Sequence, residues 1–191
     1  MNTATMLLSS VLTLMSAAAS FQIRDVDGAF LHPFTPAGSA NILFFISVDC
    51  PISNSYAPEI QRLCEHYGKQ GVACALMYED LDLNPGAVRK HLQEYGYKAV
   101  PAVIDAERKV SGRAKADVTP EAVVVDAKGE IRYRGRIDNF YADFGKPRQQ
   151  VTVHDLSDAL DAVLAGRAVS IPETQPLGCY IVDPKPLRKQ K

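Results

Sequence analysis

Apolar residues form continuous runs at residues 42–48, 72–78 and 122–125, and a weaker run at residues 99–104. A short apolar run without alternation is typical of a strand that is buried on both faces of a sheet. Stretches with apolar residues at helical spacing separate these runs. The alternation predicts an α/β domain in which helices cover both faces of a central mixed sheet.

Turn and helix signals place the remaining elements. Helices are predicted at residues 51–68, from residue 84, at residues 106–116 and around residues 156–164. Residues 126–129 form a hairpin turn with glycine at its last position. Residues 21–31 alternate loosely around Asp27-Gly28, which predicts a short N-terminal hairpin.

The two ends of the chain differ from the predicted domain at residues 21–166. Residues 6–15 are mostly apolar and small residues follow them, which is typical of a secretory signal peptide, here residues 1–20. Residues 167–191 contain four prolines and are expected to form an extended tail. We therefore predict export to the periplasm or the extracellular space, and no membrane-spanning segment once the signal is removed.

Composition narrows the possible partners. Hydrophobic residues make up 47% and charged residues 23% of the 191 residues, as in a folded globular chain. The formal net charge is -1, and the chain has no long run of basic residues. Because a nucleic-acid-binding protein usually carries a basic face, we expect no nucleic-acid partner.

The candidates for chemistry are the four cysteines, Cys50, Cys64, Cys74 and Cys179. No two of them form a Cys-x-x-Cys pair and the four histidines are scattered, so neither a metal site nor a cofactor is expected. Cys64 lies on the apolar stripe of its helix and Cys74 in a buried strand, which favours unreactive core thiols. A disulfide between them is the alternative, because a helix and the strand that follows it are packed neighbours.

Cys50 stands where a buried strand meets a predicted helix. Unpaired backbone N–H groups and the helix dipole favour the thiolate over the thiol at such a junction. Pro51 suits the first helical turn, where no N–H is needed. The negative charge of Asp49 acts against the thiolate if its side chain points the same way. A core cysteine that only packs is the alternative, but we predict an exposed, reactive thiol.

A second feature lies about seventy residues further on, where Thr119-Pro120 enters a strand. Proline can open a strand and can be cis in a tight turn. Together, the segment DCPISN at residues 49–54, the helix that follows it and Thr119-Pro120-Glu121 resemble the redoxin group of the thioredoxin superfamily. That group includes TlpA-like disulfide reductases and AhpC/TSA peroxiredoxin-like proteins.

The resemblance implies a thioredoxin-like three-layer α/β/α sandwich with a central mixed sheet and an N-terminal hairpin. It further implies that Cys50 is the nucleophile and that Pro120 is a cis-proline facing it. Thr119 would offer backbone groups to an extended partner chain, and Pro51 and Ser53 would complete the substrate-binding residues.

This chain departs from the family in four respects. Ser53 replaces the second cysteine of Cys-x-x-Cys, so a resolving thiol must come from elsewhere. Leu43 stands where peroxiredoxins have a proline, and Thr119-Pro120 where they supply an arginine that stabilises charge on the peroxide oxygen. Asn54 occupies the position of the second cysteine in copper-delivery proteins of the Sco type, which argues against copper binding.

Cys179 is the candidate resolving thiol. A cysteine next to a glycine in an extended tail can fold back and pair with Cys50, although a small anchoring residue or a free thiol bridging to another chain are alternatives. The resulting hypothesis is an extracytoplasmic thiol–disulfide oxidoreductase whose partners are protein thiols and disulfides. The alternatives are a peroxiredoxin-like peroxidase that acts on small oxidants, and a non-catalytic binding or chaperone module.

Overall fold

The computed structural model describes residues 21–182. The predicted signal peptide at residues 1–20 and the end of the tail at residues 183–191 lie outside the described residues. Within residues 21–182, no helix is both long enough and apolar enough to cross a bilayer.

Eleven strands and five helices make up the described chain. The strands are β1 (Ile23–Arg24), β2 (Phe30–Leu31), β3 (Ala40–Ile46), β4 (Val72–Tyr78), β5 (Ala102–Ile104), β6 (Val118–Thr119), β7 (Glu121–Asp126), β8 (Ile131–Gly135), β9 (Tyr141–Asp143), β10 (Lys146–Pro147) and β11 (Cys179–Tyr180). The helices are α1 (Pro51–Ser55), α2 (Ala57–Gly68), α3 (Pro85–Glu94), α4 (Lys109–Ala114) and α5 (Asp155–Leu164).

A five-stranded sheet in the order β5-β4-β3-β7-β8 forms the centre of the fold. β3 is parallel to β4, with Ile46 opposite Tyr78, and antiparallel to β7. The chain therefore leaves β3 and β4 at the same edge of the sheet, and Cys50 follows β3 at that edge. The predicted mixed sheet is confirmed, and β1 and β2 pair as the predicted N-terminal hairpin.

The sheet separates two apolar clusters, because alternate side chains of each strand face opposite sides. Phe44 faces the first cluster, which contains Ile60 of α2 and Leu160 of α5. Phe45 faces the second cluster, which contains Val110 of α4. Helices thus cover both faces of the sheet, as the predicted three-layer α/β/α sandwich requires.

Two predicted helices differ in their bounds. The helix predicted at residues 51–68 is divided at Tyr56 into α1 and α2. Pro58 has no N–H to donate and disfavours helical geometry in the residue before it, which explains the break. The helix predicted at residues 106–116 is limited to α4, because Arg108 and Lys115 on either side of it adopt left-handed backbone conformations.

The tail is more ordered than an extended segment. Glu173 pairs with Arg134 of β8 in an isolated bridge, and Thr174 donates its N–H to the carbonyl oxygen of Arg134 at 3.1 Å. Further along, β11 pairs antiparallel with β6. This pairing returns the tail to the edge of the sheet where Cys50 lies.

Candidate active site

Cys50 caps the N-terminus of α1, at the strand–helix junction predicted for it. Its backbone is extended, and its sulfur accepts a hydrogen bond from the backbone N–H of Ser53 at 3.5 Å. Pro51 takes the first helical position, and its side chain is exposed. The sulfur is therefore at the positive end of a short helix.

The expectation that Cys50 is exposed is wrong. Its relative exposure is 1%, and it belongs to the apolar cluster beneath α2. Ser53 is equally buried, and its hydroxyl accepts a hydrogen bond from the backbone N–H of Ser47 at 3.3 Å. Ser53 thus lies beneath the loop that precedes Cys50 and has no surface toward solvent.

Thr119 and Pro120 lie directly beside Cys50. The Thr119–Pro120 peptide bond is cis. The thiol of Cys50 donates a hydrogen bond to the carbonyl oxygen of Thr119 at 3.3 Å. The fold thus brings together two sites that are 69 residues apart in sequence.

The tail closes this site. We call residues 177–182 the strap. In the strap, Cys179 lies opposite Thr119 and Tyr180 opposite Val118, antiparallel to β6. The hydroxyl of Thr119 donates to the carbonyl oxygen of Cys179 at 3.4 Å, and the N–H of Ile181 donates to the carbonyl oxygen of Asp117 at 2.9 Å. The strap occupies the strand position that the family resemblance assigned to a partner chain.

The two free cysteines meet at Thr119, Cys50 from below and Cys179 from within the strap. Cys179 is an exposed residue, but partial burial of its thiol raises its pKa to about 11, and a hydrogen bond to Cys50, the charge of Cys50 and the charge of Asp80 act in the same direction. Cys179 is therefore held as a thiol while Cys50 and the strap are in place. Both cysteines are unpaired in this arrangement.

A cavity of about 470 Å³ beside Cys179 is lined by four acidic residues, of which Glu79 and Asp80 carry buried carboxyl oxygens and were missed from the sequence. Glu79 is 5% exposed; Ser111 donates to one of its oxygens at 2.7 Å, and the other has no hydrogen-bond partner. Burial, followed by the charge of Asp105, raises the pKa of Glu79 to about 8. Burial also raises the pKa of Asp80, although Ser47 donates to it at 3.1 Å.

The position of these two residues gave a weak sequence signal. Glu79 and Asp80 directly follow the apolar run of β4, where charged residues usually mark the end of a strand at the surface. Glu79 is buried and Asp80 half-buried, where Ser111 of α4 bonds to Glu79 and the strap lines the same cavity. These contacts are tertiary and leave no local signal in the sequence.

A hydrogen-bonded chain behind α1 fixes the loop that carries Cys50. The side-chain N–H of Asn54 donates to the carbonyl oxygen of Val48 at 2.8 Å, and its oxygen lies 2.9 Å from Nε2 of His91. Nε2 must then carry the proton, so Nδ1 accepts from the hydroxyl of Tyr78 at 2.9 Å. Burial lowers the pKa of His91, which keeps it in this neutral form.

The other two cysteines form a disulfide between α2 and β4, with their Cα atoms 5.8 Å apart. Of the two arrangements that the sequence left open for Cys64 and Cys74, the structure has the disulfide. Within residues 21–182, no three metal-ligating side chains cluster in a way that could hold a metal ion.

The order of strands and the two helical layers define a thioredoxin-like α/β fold. Comparisons with solved structures show the same architecture. A hypothetical protein from Sinorhizobium meliloti 1021 is 26% identical, with a TM-score of 0.74, covering 93% of this chain and 98% of that chain. An uncharacterised conserved protein from Geobacillus kaustophilus is 27% identical, with a TM-score of 0.73, covering 87% and 89% of the two chains.

A more distant neighbour carries a functional description. A secreted Mycobacterium tuberculosis disulfide oxidoreductase, homologous to E. coli DsbE, has a TM-score of 0.53 and 17% identity, covering 77% of this chain and 96% of that chain. At this identity the likeness concerns the fold alone. No family model matches the chain, and no curated protein matches it.

Proposed function

We propose that the protein is an extracytoplasmic thiol–disulfide oxidoreductase in which Cys50 is the nucleophile and Cys179 the resolving thiol. The observation that carries this proposal is the meeting of Cys50, Thr119 and Cys179 at one edge of the sheet. A core cysteine with only a packing role would not need a second free cysteine on the strand that pairs with Thr119.

The exchange proceeds in two balanced steps. The Cys50 thiolate attacks one sulfur of a partner disulfide, which forms a mixed disulfide and releases the other partner sulfur as a thiolate that takes up a proton. Cys179 then loses its proton and attacks Cys50, so that the Cys50–Cys179 bond forms and the second partner thiol leaves. The partner gains two electrons, and the protein ends as a disulfide. The same steps in reverse oxidise a partner dithiol.

Compartment is a separate part of the proposal. The Cys64–Cys74 disulfide supports an oxidising compartment, because structural disulfides are rare in the cytosol of mesophiles. The apolar segment at residues 6–15 supports export by its composition. Cell fractionation of the full chain tests it: recovery of the uncleaved protein in the cytoplasm contradicts this part.

The test of the exchange chemistry compares three proteins with wild type. Reduction of a fluorescent disulfide-linked peptide should be lost in Cys50→Ser, and Cys179→Ser should accumulate the mixed disulfide. The double variant Cys64→Ser/Cys74→Ser is the control, because it removes two cysteines that lie away from the site. Equal rates in wild type and Cys50→Ser would overturn the proposal.

The two alternatives from the sequence make different predictions in the same experiment. A peroxidase requires that Cys50 consumes peroxide, so equal consumption by wild type and Cys50→Ser ends that alternative. A binding module requires neither reaction. Non-reducing peptide mapping of the oxidised protein adds a direct readout, since we expect Cys50 and Cys179 in one linked fragment.

A further inference from the structure

At Gly178 the backbone of the strap lies so close to Thr119 that a residue with a side chain would not fit there. A Cβ atom built on Gly178 would lie 1.9 Å from the carbonyl oxygen of Thr119, 2.7 Å from its carbonyl carbon and 3.1 Å from Cδ of Pro120. Real Cβ atoms do not approach a backbone atom so closely. The residue directly before the cysteine in the strap must therefore be glycine for the strand to lie at this depth.

The strap is held at β11 by its main chain, and on either side of β11 the side chains of Leu177 and Ile181 pack against the two apolar clusters. The contacts of β11 with β6 are backbone pairing and the bond from the Thr119 hydroxyl to a carbonyl oxygen, whereas the side chain of Tyr180 is 80% exposed. Main-chain pairing of this kind does not select side chains. A different extended segment could make the same bonds if a glycine and a cysteine occupied the places of Gly178 and Cys179.

A partner cannot reach Cys50 while the strap is seated. The sulfur of Cys50 is buried, and the strand position next to Thr119 is occupied. The strap can nevertheless leave without detaching the tail, because the segment before it is fixed independently. Thr174 donates to Arg134 and its hydroxyl lies 2.6 Å from that of Tyr133, on the far strand of the sheet.

We propose that the strap is an internal copy of the partner strand, and that partner and strap exchange at Thr119. The partner is an extended segment with glycine directly before its reactive cysteine. This inference rests on the proposed function and names its class of substrate.

Strand exchange also orders the chemistry. The partner strand binds at Thr119 and forms the mixed disulfide with Cys50. Return of the strap displaces that strand while a single sulfur–sulfur bond still tethers the partner. Cys179 then attacks Cys50, the Cys50–Cys179 bond forms, and the partner leaves as a thiolate that takes the proton lost by Cys179. The same strand that closes the site thus expels the product.

The first experiment measures how often the strap leaves Cys50 exposed to solvent. In a Cys179→Ser background, where Cys50 is the sole free thiol of residues 21–182, alkylation by iodoacetamide reports how often the strap leaves. Gly178→Ala should raise the rate about tenfold or more, which corresponds to weakening the strap by about 1.4 kcal/mol. Gly112→Ala is the matched control, since a Cβ there meets open space. Ile181→Pro, which removes the N–H that binds Asp117, should act like Gly178→Ala.

The second experiment tests whether a partner peptide needs glycine directly before its reactive cysteine. Two disulfide-linked peptides that differ only in having glycine or alanine before the reactive cysteine are reacted with Cys179→Ser protein. We expect the glycine peptide to form the mixed disulfide at least tenfold faster. Equal rates for the two peptides, or an alkylation rate that Gly178→Ala leaves unchanged, would overturn the inference.

Failure of the inference can be told from failure of the proposed function. If both peptides react equally through Cys50, the proposed exchange chemistry is supported, but the proposal that the strap copies a partner strand is wrong. If neither peptide reacts while Gly178→Ala still uncovers Cys50, the proposed function fails, and with it the strap as a copy of a partner strand.

Discussion

Cys64 and Cys74 are 10 residues apart and are joined between a helix and the strand that follows it. Cys50 and Cys179 meet across most of the described chain, and one of them is on a strand of two residues. The first pair links α2 and β4, two elements of the rigid interior. The second pair depends on a segment held at the edge of the sheet by main-chain bonds and by the packing of Leu177 and Ile181. The structure thus holds one pair as a closed disulfide in its interior and leaves the other two cysteines free at the edge of the sheet.

The surroundings of the two pairs of cysteines also differ, in how well buried polar atoms are hydrogen-bonded. Beside the second pair lie Glu79 and Asp80, each with a buried oxygen that has no hydrogen-bond partner. An unpartnered buried polar atom costs stability, typically about 1–3 kcal/mol. The region of the free thiols therefore carries a cost that the fold must offset elsewhere, as is common at functional sites.

The largest effect on the free energy of unfolding should come from removing the Cys64–Cys74 disulfide. Cys64→Ala/Cys74→Ala should lose about 3 kcal/mol of unfolding free energy, because a short loop is released in the unfolded chain. Urea denaturation measures the loss. Cys179→Ala should change stability by less than about 1 kcal/mol, since Cys179 is exposed and belongs to neither apolar cluster. Similar losses of unfolding free energy in the two variants would contradict the view that only the Cys64–Cys74 pair stabilises the fold.

The next effect concerns the carboxyl group of Glu79. Because its pKa is raised from 4.5 to about 8, the folded state binds a proton that the unfolded chain has released between those values. Stability should therefore fall as the pH rises from 5 to 8, by roughly 3 kcal/mol. Glu79→Gln should flatten this fall in urea denaturation at the two pH values. A pH dependence that is the same in both proteins would show that Glu79 is not the source.

A smaller effect is expected where the tail is anchored. Gly135 has φ of +148°, and a Cβ there would lie 2.2 Å from the hydroxyl oxygen of Thr174. Gly135→Ala should loosen residues 172–182 by about 1–2 kcal/mol, measured as faster amide hydrogen exchange in that segment. Gly145→Ala is the control, since Gly145 also has a positive φ but open space around it. Equal exchange in both variants would mean that the contact with Thr174 does not anchor the tail.

The smallest effect should come from the outer side of the strap. Tyr180→Ala removes a side chain that is 80% exposed and leaves the backbone pairing intact. Alkylation of Cys50 in the Cys179→Ser background should change by less than about twofold, which corresponds to about 0.5 kcal/mol. A tenfold change would mean that side-chain contacts, and not main-chain bonds, seat the strap.

Local sequence signals were sufficient for the central elements. The apolar run at residues 72–78 coincides with β4, and the run at residues 42–48 lies within two residues of β3. Cys50 could be placed at the start of a helix because the strand before it and Pro51 after it both mark the boundary. These signals work since each depends on neighbours in the sequence.

The strap could not be predicted in the same way. A strand of two residues has no periodicity, and its partner β6 is equally short. The burial of Cys50 follows from that pairing, so the sequence indicated an exposed thiol. The strands β9 and β10 were missed for the same reason. The Cys64–Cys74 disulfide was left open, because helix and strand packing permits the contact without requiring it.

The place of Cys179 along the chain affects how the protein is made. Cys50, Cys64 and Cys74 leave the ribosome together, and Cys179 follows about a hundred residues later, or about 5–20 s at ordinary rates of synthesis. During that interval the nascent chain holds three thiols and lacks the partner of the first one. Premature pairing of Cys50 with Cys64 or Cys74 is therefore a misfolding route open to the growing chain until the strap segment emerges and pairs with β6 beside Cys50.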